Sequence, residues 1–445
     1  MRTLYSLAWA VAGLLAPIRL WWRGRREPGY REAIGERYGR YATPAPVGAT
    51  DEVVWIHAVS VGETRAASPL VERIERERPG ARIVMTAMTA TGRATARALY
   101  GERVVTAWLP YDLPGAMRRF LERFHPRFGL VMETELWPNL VAEAARAGIP
   151  VFLVNARMSG RSADGYARVP RLVRPMLASL AGVCAQTEAD ASRLRALGAA
   201  DVAVAGNLKF DVASPPDAHE RAARLRALFG AGRPVFLAAS TREGEEALIV
   251  DALARRPLPG GTLVVIVPRH PQRFDEVARL FAGRAIAYAR RSVGDAIPPD
   301  TGHVLGDSMG ELAAYYGAAD AAFVGGSLAP LGGQNLIEAI AMETPAIVGP
   351  HTFNFADAAA GAVAAGAAIR VADADALARA AGALCADPAR RQAMREAGRA
   401  FLACHRGATD RTWSYVAARL AAPVSRRDAG SGPRDPARSA SRPPT

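Results

Sequence analysis

The stretch FVGGSLAPLGGQNLIE, residues Phe323–Glu338, joins a short apolar strand to an alanine-rich helix through a glycine-rich loop. Glycines permit close backbone approach and positive φ angles, and the N–H groups at a helix start attract anions such as phosphate. Asn335 followed by Glu338 is also an ordinary helix cap with its reciprocal partner. Four glycines within nine positions exceed what a turn requires, so the stretch predicts a ligand-binding strand, loop and helix. They are Gly325, Gly326, Gly332 and Gly333.

The chain on both sides of this loop alternates apolar runs with amphipathic helical stretches. This alternation is typical of a parallel sheet covered by helices on both faces. The first series of predicted strands is Val53–Val59, Ile83–Ala87, Val104–Trp108, Phe128–Met132, Val151–Asn155, Gly182–Ala185 and Val202–Ala205. The second is Pro234–Ala239, Thr262–Val267, His303–Leu305, Ala321–Val324 and Ala346–Val348. Ser214-Pro215-Pro216 is the candidate linker between them.

Two doubly wound, Rossmann-like domains that face each other across a cleft make up the GT-B glycosyltransferase architecture. By analogy of fold, the sequence predicts this α/β class, with a membrane anchor at residues 1–25. An acceptor-binding domain is predicted at 26–213, a nucleotide-sugar-binding domain at 214–422 and a disordered tail at 423–445. Polar residues crowd at the carboxyl ends of the predicted strands, where open α/β sheets bind ligands.

The N-terminal run Leu4–Ile18 is apolar or small apart from Ser6, and arginines and tryptophans follow it. Residues 1–40 hold eight Arg against three Glu, which suits an anionic membrane face. A cleaved signal peptide is the alternative, but an Arg-rich mature start resists export and places these arginines in the cytoplasm. We therefore expect an uncleaved anchor, single-pass or interfacial, with the tryptophans at the lipid headgroups and the body of the protein in the cytoplasm.

The composition narrows the function classes. The chain has 445 residues, a formal charge of +13 and three cysteines without a C-x-x-C pair, which fits a reduced compartment. The positive charge is spread along the chain, and this argues against a nucleic-acid binder. Lys209 is the only lysine, which hints at a position where arginine does not serve. A periplasmic sugar-binding protein would need export and would lack a catalytic carboxylate.

A sugar transferase needs a base for the acceptor proton and cations for the leaving phosphate. Glu63 follows a buried strand, where apolar neighbours can raise its pKa towards the range of a base. The sequence is equally compatible with an exposed acid in the first turn of a helix. Arg269 with His270, between two prolines, suggests a phosphate or carboxylate clamp, or else a surface ion pair. Glu311 can accept from a ribose hydroxyl or merely begin a helix. No DxD metal motif stands among these candidate residues, so we predict no metal and no cofactor.

Ten separate motifs resemble the 3-deoxy-D-manno-octulosonic acid (Kdo) transferases of Gram-negative lipopolysaccharide synthesis. They are RLWWRGRREPGYREAIGERYG, HAVSVGETRAASPLV, LPYDLPGAMRRFL, METELWPNL, NARMSGRSADGYA, GNLKFD, VPRHPQRF, GDSMGELAAYY, FVGGSLAPLGGQN and GPHTFNF. The resemblance runs from the N-terminus to about residue 400. It implies a metal-independent, inverting transfer of Kdo from CMP-Kdo to a lipid A precursor, lipid IVA, at the inner membrane.

The resemblance also assigns site residues. It places the proton acceptor on Glu63. It implies CMP contacts at Pro268, Arg269, Met309, Gly310, Glu311, Asn335, Leu336, Ile337 and Glu338. Ser327 and Lys209 stand in motifs that line the same cleft. Gln334 departs from the family, which commonly carries His there. A soluble nucleotide-sugar epimerase of the same two-domain architecture is the alternative function.

Overall fold

The computed structural model describes residues 1–25, 27–42, 52–294, 297–298 and 300–421. These ranges hold two parallel sheets of seven strands each. The first contains β1 Val53–His57, β2 Arg82–Ala87, β3 Val104–Trp108, β4 Phe128–Met132, β5 Val151–Ala156, β6 Gly182–Ala185 and β7 Val202–Val204. The second contains β8 Val235–Thr241, β9 Leu263–Pro268, β10 Tyr288–Arg290, β11 His303–Leu305, β12 Ala321–Val324, β13 Ala346–Val348 and β14 Ala368–Arg370. The tail predicted at 423–445 lies outside the described residues.

Helices provide the crossovers that parallel pairing requires between successive strands, except between β10 and β11, where the described residues hold none. The helices before the second sheet are α1 Arg2–Arg23, α2 Val61–Ala66, α3 Ser68–Glu77, α4 Ala90–Tyr100, α5 Pro114–Phe124, α6 Pro138–Arg146, α7 Gly160–Ala167, α8 Pro170–Ala178, α9 Glu188–Leu197 and α10 Ala218–Phe229. Those after β8 are α11 Glu245–Arg255, α12 Phe274–Gly283, α13 Leu312–Ala318, α14 Leu336–Ala341, α15 Ala356–Ala364, α16 Ala374–Ala386, α17 Pro388–His405 and α18 Ala408–Ala421.

The first sheet has the strand order β3-β2-β1-β4-β5-β6-β7. Alternate residues of β1 enter different cores: Val53 and Trp55 face one layer of helices, and Val54 and Ile56 face the other. This two-sided burial explains the continuous apolar runs in the sequence. The chain changes direction across the sheet between β1 and β4, so a crevice opens beyond their carboxyl ends.

The second sheet has the order β10-β11-β9-β8-β12-β13-β14, and every strand pair in it is parallel. Its direction changes between β8 and β12, and the glycine-rich loop follows β12. The prediction of two doubly wound α/β domains is confirmed. The sequence missed the edge strands β10 and β14 because each is a three-residue strand in an alanine-rich segment, and alanine favours helices.

Two segments cross between the halves. Phe210 packs in the core of the second sheet, although it precedes the predicted linker. The last described helix, α18, returns to the first sheet, where Trp413 and Val416 are buried. Each half therefore holds chain from both sides of the linker. The boundaries at 213 and 422 stay a prediction.

Helix α1 packs along the first half through the aromatic side chains of Trp9, Tyr111 and Trp137. Among the residues described, it is the one helix whose length and apolar composition suffice to cross a membrane. By these two criteria alone, it is a weak sign of membrane association.

Candidate active site

Glu63 lies in the first turn of α2, directly after β1. The Ser60 hydroxyl caps this helix by accepting from the Glu63 N–H at 3.4 Å. In return the Glu63 carboxylate accepts from the Val59 N–H at 2.9 Å and from the Ser60 hydroxyl at 2.8 Å. The residue is only 8% exposed. Burial, with a contribution from the charge of Glu133, raises the pKa of Glu63 to about 7.

Lys209 and Glu133 form an ion pair in the same crevice. The Lys209 Nζ lies 2.8 Å from Glu133 Oε1, and both side chains are mostly buried. Glu133 follows β4 with a φ of 55°, a left-handed conformation that is uncommon outside glycine. The ammonium also lies 5.1 Å from the ring centroid of Phe355 in the second half. The only lysine of the chain therefore stands between the two sheets.

The loop 133–137 brings a second carboxylate close to Glu63. Glu135 accepts a hydrogen bond from Trp137 Nε1 at 2.9 Å, and burial raises the pKa of Glu135. The charges of both Glu133 and Glu135 act to raise the pKa of Glu63. Three carboxyl groups and one lysine thus meet at the point where β1 and β4 diverge.

The glycine-rich loop is held by Glu245, a carboxylate with no exposed surface. Its Oε2 accepts from the N–H groups of Gly326 at 2.6 Å and Arg242 at 2.9 Å. Its Oε1 accepts from the N–H groups of Leu328 at 2.9 Å and Ala329 at 3.3 Å. Gly326 has a φ of 71°, a conformation that a residue with a side chain would adopt only under strain. The loop is therefore shaped by one buried carboxylate from α11.

Asn335 caps α14, as the sequence predicts. Its Oδ1 accepts from the Ile337 N–H at 3.2 Å, and its Nδ2 donates to Glu338 Oε1 at 3.2 Å. Glu338 also lies 3.8 Å from Nη1 of Arg65, which belongs to α2 in the first half. The helix that follows the glycine-rich loop thus faces the helix that carries Glu63.

Three arginines gather around this loop. Burial lowers the pKa of the Arg269 guanidinium, and the positive charges of Arg65 and Arg242 lower it further. Arg269 Nε donates to Gln334 Oε1 at 3.4 Å, at the position where the sequence departs from the resemblance. Pro268 ends β9 and positions Arg269, whose N–H donates to the Thr241 carbonyl at 3.0 Å. A cluster of mutually repelling cations of this kind is suited to an anionic ligand.

Met309, Gly310 and Glu311 lie together after β11. Glu311 Oε1 pairs with Arg291 Nη2 at 3.2 Å, whereas its Oε2 is buried without a hydrogen-bond partner in the described part of the chain. Gly310 has a φ of 80°, and Met309 is 61% exposed. The segment therefore offers one unused acceptor and one exposed apolar side chain.

Three predicted site residues turn their side chains into the protein. The Ser327 hydroxyl donates to the Val324 carbonyl at 2.6 Å and accepts from the Gly349 N–H at 2.8 Å, with no exposed surface. Leu336 and Ile337 pack in the core of the second half. A ligand at these positions would meet the backbone rather than the side chains.

Sequence reasoning missed Glu245, Arg65 and Arg291. Each reads as an ordinary charged residue near a helix or strand end, and only its distant partner reveals its place in the site. Arg157 is similar: its guanidinium donates to the carbonyls of Asn354 at 3.1 Å and Phe353 at 2.6 Å across the cleft. Over the described ranges, no group of three or more His, Cys, Asp or Glu residues is arranged to hold a metal ion.

Comparison with known families gives two matches. Residues 32–212 match the family described as 3-Deoxy-D-manno-octulosonic-acid transferase (kdotransferase). Residues 291–401 match the family described as Glycosyl transferases group 1. The two matches fall on the first and second halves of the structure respectively.

Two relatives match nearly the whole chain. The 3-deoxy-D-manno-octulosonic acid transferase of Bordetella pertussis is 50% identical over 429 residues, which cover 92% of this chain and 97% of that protein. The 3-deoxy-D-manno-octulosonic acid transferase of Haemophilus influenzae is 38% identical over 396 residues, which cover 87% of this chain and 91% of that protein.

A solved structure shares the fold. A putative UDP-N-acetylglucosamine 2-epimerase from Listeria monocytogenes superposes with a TM-score of 0.55 at 13% identity and covers 83% of this chain and 96% of its own. At this identity the likeness concerns the fold alone. Together with the group 1 match, it confirms the predicted GT-B-type architecture.

Proposed function

The chain belongs to the 3-deoxy-D-manno-octulosonic acid (Kdo) transferase family, and from this premise we propose that CMP-Kdo is its donor and lipid IVA, a lipid A precursor, is its acceptor. The proposed transfer inverts the anomeric configuration and uses Glu63 as general base. The observation that carries the proposal is the buried Glu63, whose pKa is about 7, in a cleft whose other wall presents Arg269 and Arg242, with Arg65 beside Glu63 on α2.

Glu63 has the properties of a base that works near neutral pH. A general base is most effective when its pKa lies close to the operating pH. The two hydrogen bonds from Val59 and Ser60 orient the carboxylate and keep its ionised form accessible despite burial. In the proposed step, the acceptor hydroxyl attacks the anomeric carbon and its proton passes to Glu63.

The bond to CMP breaks as the new glycosidic bond forms, and CMP departs with the electron pair. Arg269, Arg242 and Arg65 supply the positive charge that stabilises the phosphate of the leaving CMP. Attack from the Glu63 side, opposite the leaving group, inverts the anomeric carbon in one displacement. Lys209 stands on the Glu63 side of the cleft and is available to the carboxylate of the sugar.

The acceptor side of the proposal rests on the first half and on α1. The predicted acceptor is a lipid, and α1 exposes a row of leucines beside the half that carries Glu63. The arginines at the end of α1 suit an anionic membrane face. We place the enzyme on the cytoplasmic face of the inner membrane, where the lipid acceptor is reached from the side of the cleft.

The test is transfer from CMP-Kdo to lipid IVA by the purified full chain, with a chelator present and product masses as the readout. The wild type should add Kdo, and NMR of the product should show the inverted anomeric configuration. Glu63→Gln should lower kcat by about a thousandfold because it removes the base and keeps the hydrogen-bonded shape.

Glu72→Gln is the matched control, because Glu72 is an exposed glutamate on the neighbouring α3. It should leave kcat unchanged. Absence of transfer by the wild type would overturn the proposed donor and acceptor, and turnover of a UDP-sugar instead would favour the epimerase alternative. Full activity of Glu63→Gln would retain the reaction and exclude Glu63 as its base.

A further inference from the structure

Helix α1 lies lengthwise on the first half of the protein. Near its start, the Trp9 indole stacks on Tyr111 at 5.9 Å between centroids. At its middle, the Tyr38 hydroxyl donates to the Gly13 carbonyl at 2.7 Å. Near its end Leu20 is 4% exposed, and Arg31 donates to the Trp21 carbonyl at 2.9 Å. One face of the helix is thus attached to the protein body over most of its length.

The opposite face of α1 is a strip of exposed apolar residues. It comprises Leu4, Leu7, Val11, Leu14, Ile18 and Trp22, each more than half exposed. These positions recur every three or four residues, which is the spacing of one helix face. Arg25 covers the Trp21 ring at 4.1 Å, so the end of the strip is rimmed by cationic and aromatic groups. This arrangement is typical of helices that lie in a bilayer interface.

The contacts along α1 oppose a spanning orientation. A helix of 22 residues is about 33 Å long, enough to cross the hydrocarbon core. If α1 crossed the bilayer, however, its attached face would draw part of the body into lipid. That part includes Asp112, a buried carboxylate that accepts from the N–H groups of Asn139 and Leu140 at the start of α6. A bilayer surface beneath the apolar strip leaves the body in water and covers only the exposed face.

The same helix contacts the loop that carries the cleft carboxylates. Trp9 packs edge-on against Trp137, with 5.6 Å between ring centroids. Trp137 in turn donates to Glu135, which lies in the loop 133–137 beside Glu63. Tyr5 hydrogen-bonds Asp112, whose carboxylate accepts from the first turn of α6, the helix that this loop enters. Two side chains of α1 therefore support the loop from behind.

We propose that α1 lies in the plane of a bilayer surface and that Trp9, through Trp137, positions the loop 133–137 in the catalytic cleft. Membrane docking and cleft geometry then depend on one helix. Its exposed apolar face binds lipid, and its attached face supports the loop 133–137. Trp9 is a positioning residue, because its side chain acts through Trp137. The part concerning catalysis rests on the function proposed above, whereas the orientation of α1 does not.

The orientation is tested by depth measurements with nitroxide labels at Leu4→Cys, Val11→Cys and Ile18→Cys. The background is Cys404→Ser, because Cys404 is the exposed one of the three cysteines. The full chain is bound to vesicles of phosphatidylethanolamine and phosphatidylglycerol. An in-plane helix gives all three labels a similar depth of about 5–10 Å. A deepest label at Val11, about 10 Å below both others, indicates a spanning helix and overturns the proposal.

The positioning role is tested with a water-soluble, deacylated acceptor, which removes the need for membrane. Trp9→Ala should lower kcat by about tenfold or more with little change in the KM for CMP-Kdo, since small displacements of a cleft are costly to the chemical step. Trp9→Phe should restore most of the rate, because a ring still packs on Trp137. Vesicle sedimentation of each variant is measured in parallel.

Trp22→Ala is the matched control, because Trp22 is 64% exposed on the apolar strip. It should weaken vesicle binding by about tenfold and leave kcat on the soluble acceptor unchanged. If Trp9→Ala behaves like Trp22→Ala, α1 serves only for attachment and the positioning role is refuted. The labels report depth without turnover, so failure of wild-type transfer would count against the proposed function and not against the orientation.

Discussion

Glu63 shows how a carboxyl group is tuned by its position in the fold. Burial and the neighbouring charges of Glu133 and Glu135 favour the protonated form, whereas the hydrogen bonds from Val59 and Ser60 favour the ionised form. Burial has the largest effect, so the pKa rises to about 7. Two pH effects with different readouts follow from this balance.

The first effect concerns the rate. Because the base acts when ionised, kcat should fall tenfold per pH unit below about 7 and level off above it. Rates measured from pH 5 to 9 on the soluble acceptor check this expectation. Asp112 also has a pKa raised by burial, to about 6, so Asp112→Asn is the control and should retain the acid limb of the profile. A flat profile between pH 5 and 8 would contradict the assignment of Glu63 as base.

The second effect concerns stability. The folded pKa of Glu63 lies above the ordinary value of 4.5, so its protonated form contributes stability below that value, and the contribution is lost as pH rises through about 7. Glu63→Gln cannot ionise and should gain up to about 3 kcal/mol over the wild type at pH 8, but little at pH 4.5. Denaturation midpoints of both proteins at the two pH values give the measurement. An equal difference at both would show that Glu63 is not perturbed in the folded state.

The ion pair of Lys209 with Glu133 offers a third test at this scale. Lys209→Met leaves the negative charge of Glu133 uncompensated, and this charge acts to raise the pKa of Glu63. The acid limb of the rate profile should move up by about one pH unit. Lys209→Met combined with Glu133→Gln should move it back, because the repelling charge is gone. If the acid limbs of the rate profiles coincide in the single and double variants, the charge of Glu133 does not affect the pKa of Glu63.

At the scale of elements, the glycine-rich loop is shaped by α11 as well as by its own residues. Four of its surrounding N–H groups converge on the Glu245 carboxylate. Gly325 approaches β8 so closely that a Cβ atom would meet the Ser240 carbonyl. Small residues and one buried acid together allow the backbone to fold into a pocket wall. Loop and helix therefore form one structural unit.

Glu245→Gln tests this unit. The amide nitrogen cannot accept a hydrogen bond, so N–H groups of the loop lose their partner in a buried place. We expect a loss of about 3 kcal/mol in stability of the second half and a clear rise in the KM for CMP-Kdo, with kcat less affected. Glu220→Gln, an exposed glutamate on α10 whose ion-pair partner is Arg224, should change neither quantity. An unchanged donor KM would mean that the loop keeps its shape without the carboxylate.

At the scale of the whole molecule, the two halves are joined by more than a linker. The Asp211 carboxylate accepts from the N–H groups of Gly407 at 2.8 Å and Thr409 at 2.6 Å, so the two crossing segments are held together. Helix α18 then completes the core of the first half. Contacts such as Arg157 with the Phe353 carbonyl bridge the open side of the cleft. The crossing segments and the bridging contacts together define how the walls of the cleft face each other.

Trp413→Ala tests whether the first half depends on α18 for its stability. Trp413 is 2% exposed and its Nε1 donates to Glu77 at 2.7 Å, so truncation should cost about 3–5 kcal/mol. The first half should lose this stability, although Trp413 comes late in the chain. Hydrogen exchange should show reduced protection in β1 and β4 and unchanged protection in β8 and β12, with Trp22→Ala as an inert control. Loss of protection confined to the second sheet would contradict the packing of α18.

The sequence by itself determined the fold class, twelve of the fourteen described strands, the cap at Asn335 and the family. These properties depend on local signals: buried parallel strands are continuous apolar runs, a cap is a short spacing, and family motifs are contiguous. The edge strands β10 and β14 were not predicted, because three residues within an alanine-rich segment carry no such signal. They form because a neighbouring strand is available for pairing.

Only the tertiary structure decided which residues distant in sequence meet at the site. Lys209 and Glu133 are 76 positions apart, and Glu245 and Gly326 are 81 apart, yet each pair shares a hydrogen bond. Their encounter depends on the order of the strands in each sheet, which brings distant carboxyl ends together at the crevice. The same holds for the attachment of α1 to the loop of Glu135 and for the return of α18. Sequence patterns report what a segment buries, whereas its partner is set by the packing of the whole chain.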